Sequence, residues 1–232
     1  MMRLAVIVPV LNEERAIADT LARLAPLRAR GAVVIAVDGG STDRTAERAR
    51  AAADHVLAAP RGRALQMNAG ARHALADPAV DALLFLHADT RLPDDADRAV
   101  RAACAGRPSA WGRFDVRIEG ASPALRLVAA TMNLRSRVTG ICTGDQCLFA
   151  TRALFEALGG FAELPLMEDI EFSRRARRVA RPIALRERVT TSGRRWERHG
   201  IARTVLLMWR LRLAYFLGAD PARLAADYRD AR

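Results

Sequence analysis

Residues 80–92 read VDALLFLHADTRL. Residues 80–86 are mostly apolar and carry no helical stripe, the pattern of a strand buried on both faces, as in a parallel sheet. The run stops at His87-Ala88-Asp89, and Thr90 leads towards Pro93-Asp94-Asp95, which starts a helix. An acidic residue at the carboxyl end of such a strand lies where open α/β sheets bind ligands. Two readings fit Asp89. It holds a divalent cation whose other ligands are phosphate oxygens, or it merely opens the turn into the helix.

The chain on either side repeats this unit. Residues 4–8 form a buried strand closed by Pro9, and Asn12 caps a helix running to about residue 28. Glu13 and Glu14 suit its positive end, and Ile17, Leu21 and Leu24 lie at helical spacing. A second strand, 32–37, ends in Asp38-Gly39-Gly40-Ser41-Thr42-Asp43 and leads to a helix at 44–53. A short strand at 56–58 and a glycine-punctuated turn and helix, RGRALQMNAGARHALA at 61–76, complete the half before Asp89. Strand and helix alternate throughout, which predicts a doubly wound, mostly parallel sheet flanked by helices.

Past Asp89 the alternation weakens. The pattern predicts a strand at 111–118, a helix at 123–138, Thr143-Gly144-Asp145-Gln146 before a short strand, and a helix from Thr151 to Gly159-Gly160. A helix starting at Glu168 and a long apolar helix at 198–217 follow. This α+β half covers the open edge of the sheet and supplies the second wall of a cleft.

With 232 residues, 51% of them hydrophobic, the chain is globular and builds a sizeable core. Its formal charge of +11 comes entirely from Arg, since Lys is absent, and the Arg are spread along the chain. That spread weakens a nucleic-acid reading; sugar nucleotides and anionic lipid headgroups suit the charge as well as DNA does. Cys104, Cys142 and Cys147 form no metal-ligand pattern and read as reduced cytosolic thiols. The opening MMRLAVIVPVLNEE reads as a first strand and not as a signal peptide. No apolar run approaches the length that spans a bilayer.

Several residues at the strand ends carry chemistry. Asp38 is followed by two glycines that let a ligand come close, and its acceptor-only carboxylate can take the imide N–H of a uracil or thymine ring. Asp43 reads mainly as a helix cap. Glu168 and Asp169 are either dipole complements in a first helical turn or place a general base, Asp169, in the cleft. Neighbouring helical residues point about 100° apart, so only one of the pair leads. Arg194-Arg195-Trp196, beside Gly193, suits diphosphate recognition with a stacking platform, Arg194 being the more solvated of the two Arg. Neither the dinucleotide fingerprint nor the P-loop pattern is present.

In this order the motifs IVPVLNEE, VDGGSTDRT, FLHADT and MEDIEFSRR resemble those of family 2 glycosyltransferases with the GT-A fold, over essentially the whole chain. GRALQMNAGA and TTSGRRWERHG are similar to a compact bacterial subgroup associated with radical-SAM proteins or arsenosugar biosynthesis. The resemblance implies a single domain with a nucleotide-sugar-binding half (1–92), an acceptor and catalytic half (93–197) and a C-terminal helical segment (198–232). It implies a nucleotide-diphospho-sugar donor, with Pro9, Asn12 and Glu13 lining the nucleoside pocket, Asp38 on the base, and Arg63, His87, Arg195 and Trp196 also on the donor. Asp89 matches the last acidic residue of the family's D-x-D motif and so the ligand of a Mg²⁺ or Mn²⁺ ion. Asp169 matches the catalytic base, with Glu168 beside it.

Two departures from the family pattern matter. His87 stands in place of the first Asp of D-x-D, where it can ligate a metal or hydrogen-bond a ribose or phosphate, and Ser192 in place of the Gln of Q-x-x-R-W. No membrane-spanning helices follow, so the resemblance implies one inverting transfer to a small or lipid-linked acceptor, without polymer extrusion. Trp111 or Asp145 is expected to touch that acceptor, and the 198–217 helix to meet the protein body, a second copy or the inner face of a membrane. The competing readings are a nucleotidyltransferase, which would need a glycine- and lysine-rich N-terminal signature this chain lacks, and an inactive basic module that binds membrane or nucleic acid.

Overall fold

A computed structural model describes residues 2–230, without the side chains of Arg195, Arg229 and Asp230. The first half alternates as its sequence predicts: β1 (Arg3–Val10), α1 (Ile17–Ala22), α2 (Ala25–Ala29), β2 (Val33–Asp38), α3 (Thr45–Arg50), β3 (His55–Ala58), α4 (Arg63–Leu75) and β4 (Val80–Phe85). A two-residue strand, β5 (Thr90–Arg91), and α5 (Ala96–Cys104) lead into the second half. There follow β6 (Trp111–Glu119), α6 (Ala124–Thr139), a 3₁₀ turn (Gly144–Gln146), β7 (Phe149–Thr151), α7 (Arg152–Ala157) and α8 (Glu168–Val179). The chain then forms β8 (Ile183–Ser192), α9 (Arg194–His199), α10 (Ile201–Phe216) and α11 (Pro221–Asp230).

All eight strands join one sheet, in the order β3-β2-β1-β4-β7-β6-β8-β5. The pairs β1–β2, β1–β4, β2–β3 and β6–β8 are parallel, and β4–β7, β6–β7 and β5–β8 are antiparallel. From β1 the chain builds outward to β2 and β3, then returns to place β4 on the other side. That reversal opens a crevice at the carboxyl ends of β1 and β4, the position where such sheets bind ligands.

The strands lack polar alternation because both faces are covered. Leu4, Val6, Val8, Ala82, Leu84 and Leu86 pack on one face with Ile17, Leu21, Leu24 and Leu27 of the first helices, Val100 of α5 and Leu125 of α6. Ala5, Ile7, Leu83 and Phe85 pack on the other with Met67 and Ala71 of α4, Phe155 of α7 and Phe172 of α8. Each fully buried Leu, Ile or Phe contributes roughly 1.5–3 kcal/mol.

Four expectations change. Asn12 does not cap a helix: it adopts φ 54°, the helix starts at Ile17, and the Asn12 Oδ1 instead accepts the Thr42 N–H at 2.9 Å. The single helix expected up to residue 28 is two short ones, broken at Arg23 and Leu24. The ten-residue β8 had no predicted counterpart. The long C-terminal helix is interrupted at Gly200, φ 84°, which separates α9 from α10.

Candidate functional site

The cleft is assembled from the ends of β1, β2 and β4, the 3₁₀ turn and the first turn of α8. Gln66 of α4 holds its floor together: the buried amide donates to the Val10 carbonyl at 2.9 Å and the Val37 carbonyl at 2.8 Å, tying β1 to β2 where both end. Pro9, expected in the pocket lining, is buried within β1 opposite Val37. The residues presented at that edge are Asn12 and Glu13, whose backbone N–H groups donate to the Ser41 hydroxyl at 2.9 Å and the Thr45 hydroxyl at 2.7 Å.

Asp38 closes β2 but turns largely inward. Its carboxylate accepts the Gly40 and Ser41 N–H groups at 3.2 and 3.1 Å and the Ser41 hydroxyl at 2.5 Å, and the residue is 9% exposed. The turn therefore uses most of the acceptor capacity that the sequence left for a base. Asp43 behaves as a cap one step early: its carboxylate takes the Thr45 N–H at 3.0 Å and the Glu14 N–H at 3.3 Å, which lowers its pKa, the Thr45 hydroxyl having the largest effect.

Asp89 is exposed beyond the end of β4. Its backbone carbonyl accepts the Ser192 N–H at 3.3 Å, and the Thr90 hydroxyl lies 3.3 Å from its Oδ1. The carboxylate thus keeps an open side. Among the described residues no group of three or more His, Cys, Asp and Glu side chains forms a metal site by itself.

His87 is nearly enclosed. Its Nδ1 lies 3.4 Å from Asp145 Oδ1, its side chain being 12% exposed and that of Asp145 45%. The imidazole rests against Gly144, where an added Cβ would come within 2.5 Å of Nε2. The Gly144 N–H in turn donates to Asp169 Oδ2 at 2.9 Å. One backbone unit therefore joins the end of β4 to the start of α8, placing His87, Asp145 and Asp169 in a single cluster. The sequence signal for Gly144 was present in Thr143-Gly144-Asp145-Gln146, but nothing local linked that turn to the strand or the helix it bridges.

At the mouth of α8 the two carboxylates differ. Asp169 is partly exposed, whereas Glu168 is buried. Burial, and then the neighbouring Asp169 charge, raise the Glu168 pKa, with Arg63 opposing them. Arg63 opens α4 and, although exposed, sits in a recess crowded by protein. Burial disfavours its charge, and Glu168, Tyr228, Asp145 and Asp169 more than offset this, so its pKa is raised. On the same side Arg135 of α6 is pushed down to about 10 by burial and by Arg212, with Asp169 opposing. Positive charge thus surrounds the two acids.

Three expected contacts are absent or undecided. Trp111 does not reach an acceptor space: it is fully buried, its indole N–H donating to the Ala180 carbonyl at 2.8 Å and its ring edge-on to Phe172. Trp196 lies half-buried against the core that includes Leu125 and Ala129, so its ring does not stand free as a platform. The side chain of Arg195 lies outside the described residues.

With the crevice, the acidic strand end and the paired acids in place, comparison with known proteins is decisive. The family model described as Glycosyl transferase family 2 matches residues 5–153.

The chain belongs to glycosyl transferase family 2.

Its GT-A fold is shared with S. aureus TarS 1–349 in complex with UDP-GlcNAc, at TM-score 0.64 and 21% identity over 82% of this chain and 58% of that one. A mannosyltransferase from Pyrobaculum calidifontis in complex with GDP-Man and Mn²⁺ aligns at TM-score 0.61 and 22% identity, over 91% of this chain and 60% of that one. Glucosyl-3-phosphoglycerate synthase from Mycobacterium tuberculosis, with Mn²⁺, UDP and phosphoglyceric acid, aligns at TM-score 0.56 and 19% identity over 82% and 69%. This family 2 chain spans 61% or less of the TarS chains it matches. No curated protein sequence matches it.

Proposed function

We propose that this family 2 member is an inverting, non-processive glycosyltransferase that moves a sugar from a nucleotide-diphospho-sugar to a hydroxyl of a small or lipid-linked acceptor. The observation that carries the reading is the partly exposed Asp169 carboxylate, fixed by the Gly144 N–H at 2.9 Å in the turn that also encloses His87, two residues before the exposed Asp89. Asp169 is the general base: it takes the proton of the acceptor hydroxyl as that oxygen attacks the anomeric carbon from the face opposite the diphosphate. Glu168 is buried and so out of reach of a solvent-facing hydroxyl; it serves to hold Arg63 in place. We assign Arg63 to the diphosphate and, on the sequence resemblance alone, Arg195 as well; Asn12, Glu13, Asp38 and His87 are assigned to the nucleoside and ribose.

An exposed carboxylate without a ready-made cluster fits a cation held mainly by diphosphate oxygens and water, with Asp89 as its protein ligand. When bound, a Mg²⁺ or Mn²⁺ ion would offset charge growing on the leaving diphosphate. The relatives solved with Mn²⁺ or Mg²⁺ and a nucleotide support this choice. The subgroup associated with radical-SAM proteins or arsenosugar biosynthesis is proposed on GRALQMNAGA and TTSGRRWERHG alone. We place the protein in the cytoplasm, with its C-terminal segment touching the inner face of the membrane. No helix among the described residues is long and apolar enough to cross a membrane.

The test is a thermal-shift screen against UDP, GDP, TDP, CDP and ADP, with and without Mn²⁺, followed by sugar-by-sugar hydrolysis with the responding nucleotide. A native-state ligand raises the melting temperature by mass action. Asp169→Asn should keep that shift and lose about 10²–10⁴-fold in transfer rate. Transfer at the parent rate would remove Asp169 from the role of base, and a folded protein with no nucleotide response would favour an inactive binding module.

A further inference from the structure

Of the nine large hydrophobic side chains exposed among the described residues, all but Val179 lie on α6 or on α10 and its final cap. On α6 these are Leu127, Leu134 and Val138, exposed by 63–77%; on α10 they are Leu206, Trp209, Leu213 and Phe216, with Leu217 at its end, exposed by 52–79%. At about 100° per residue each set forms one outward stripe. The opposite faces, Leu125 and Ala129 on α6 and Thr204 and Leu211 on α10, are buried in the protein. Each helix is therefore apolar on both sides, unlike an ordinary surface helix with a polar outer face. The two are neighbours: Ile201 of α10 packs against the cluster holding Leu125 and Ala129, and Arg135 and Arg212 repel across the gap.

The charges decide what covers these stripes. Neither helix contains an acidic residue, and the exposed Arg beside the stripes are Arg126 and Arg137 on α6 and Arg203 and Arg210 on α10. Arg137 is paired with Asp115 at 2.7 Å and Arg210 lies 3.9 Å from Asp227, while Arg135 turns inward, within reach of the Asp169 charge. A second copy of this face would set Arg against Arg over an apolar centre. A nucleic acid would meet the Arg but leave the Leu and Trp stripe in contact with phosphate. An anionic bilayer satisfies both, with apolar side chains entering the acyl boundary and Arg at the headgroups. We propose that α6 and α10 together form a docking surface for an anionic lipid membrane.

Behind this surface, Leu211 of α10 packs with Met167 and Ile170, which bracket the paired acids of α8. The docking face is thus the outer side of the wall that carries Asp169. Membrane binding itself does not depend on the reaction; that the acceptor is lipid-linked, and is presented from the bilayer, rests on the transferase reading.

The test uses the full chain and vesicles of phosphatidylcholine with and without phosphatidylglycerol. Co-sedimentation should require phosphatidylglycerol and weaken with salt, and Trp209 fluorescence should be quenched by brominated lipid. Leu206→Glu/Leu213→Glu and, separately, Leu127→Glu/Leu134→Glu should each weaken binding about tenfold or more, with the nucleotide-dependent thermal shift retained. Should either double variant fail to fold, Trp209→Ser and Arg203→Ser/Arg210→Ser address the same surface, and both should bind more weakly. Binding that all these variants retain would overturn the proposal. So would absence of vesicle binding, whether the protein proves monomeric or a dimer that Leu213→Glu dissociates. The nucleotide screen contains no lipid, so failure of the transferase reading registers separately.

Discussion

Gly144 shows how a position without a side chain can fix the geometry of two others. Its N–H holds Asp169 Oδ2 at 2.9 Å while its α-carbon lies against His87. Gly144→Ala would place a Cβ within 2.5 Å of His87 Nε2, so the ring or the turn must shift. A displacement of about 1 Å costs on the order of 10²-fold in rate. We expect single-turnover transfer to fall by that factor with nucleotide binding intact; an unchanged rate would separate Gly144 from the site. Glu168 makes a second prediction. Its folded-state pKa is raised by burial and by Asp169, so the folded protein holds this proton more tightly than the unfolded chain. The corresponding stability is complete below about pH 4.3, the unfolded value, and is lost as pH rises through the raised folded value. Glu168→Gln should therefore raise the melting temperature more at neutral than at acidic pH. A gain independent of pH, or largest in acid, would contradict the assignment.

Among the elements, β8 is the one that local pattern hides. Ile183, Leu185, Val189 and Thr191 alternate as a strand should, but Arg186, Glu187 and Arg188 are exposed and interrupt the apolar signal. What makes these residues a strand is their partner β6, which pairs with β8 in parallel from Gly112 opposite Ile183 to Glu119 opposite Ser192. The approach is closest at Gly112, where an added Cβ would lie 2.1 Å from the Ile183 carbonyl oxygen and 2.6 Å from the Phe149 ring. Backbone cannot yield there as a flexible side chain can. Gly112→Ala should cost about 3 kcal/mol or more, read from the midpoint of urea unfolding, and a midpoint equal to the parent's would show that the strands are less tightly apposed. Asn12 makes the same point at a helix start. Its residue type suits a cap, but the hydrogen bond it makes reaches 30 positions along the chain to Thr42, a choice available only once β1 and β2 lie side by side.

For the molecule as a whole, the three cysteines report on packing. All are unpaired and buried, and burial raises each thiol pKa, to about 11 for Cys104 and about 12 for Cys142, and further for Cys147. Reactivity requires the thiolate and access. The native protein should consume no thiol reagent within minutes and three equivalents once unfolded in guanidinium. A rapidly reacting native thiol would mean that the sheet and its helices open readily.

Periodicity alone determined the parallel half of this protein. The apolar runs at β1, β2 and β4 are buried on both faces, and a chain that alternates such runs with amphipathic helices has few other ways to remove them from water. Strand ends are marked by sudden polarity, so Asp38 and Asp89 were legible as residues at the crevice, and Glu168-Asp169 as a helix start. Tertiary structure decided the rest, because those outcomes depend on partners far apart in sequence. It turned Asp38 into its own loop, enclosed His87 against Gly144, buried Trp111 in the core and packed Trp196, half-buried, against it. It also made Glu168 and Asp169 unequal, one buried and one partly exposed. Adjacent residues of the same chemistry carry no sequence signal for that difference, which comes from what packs over each of them.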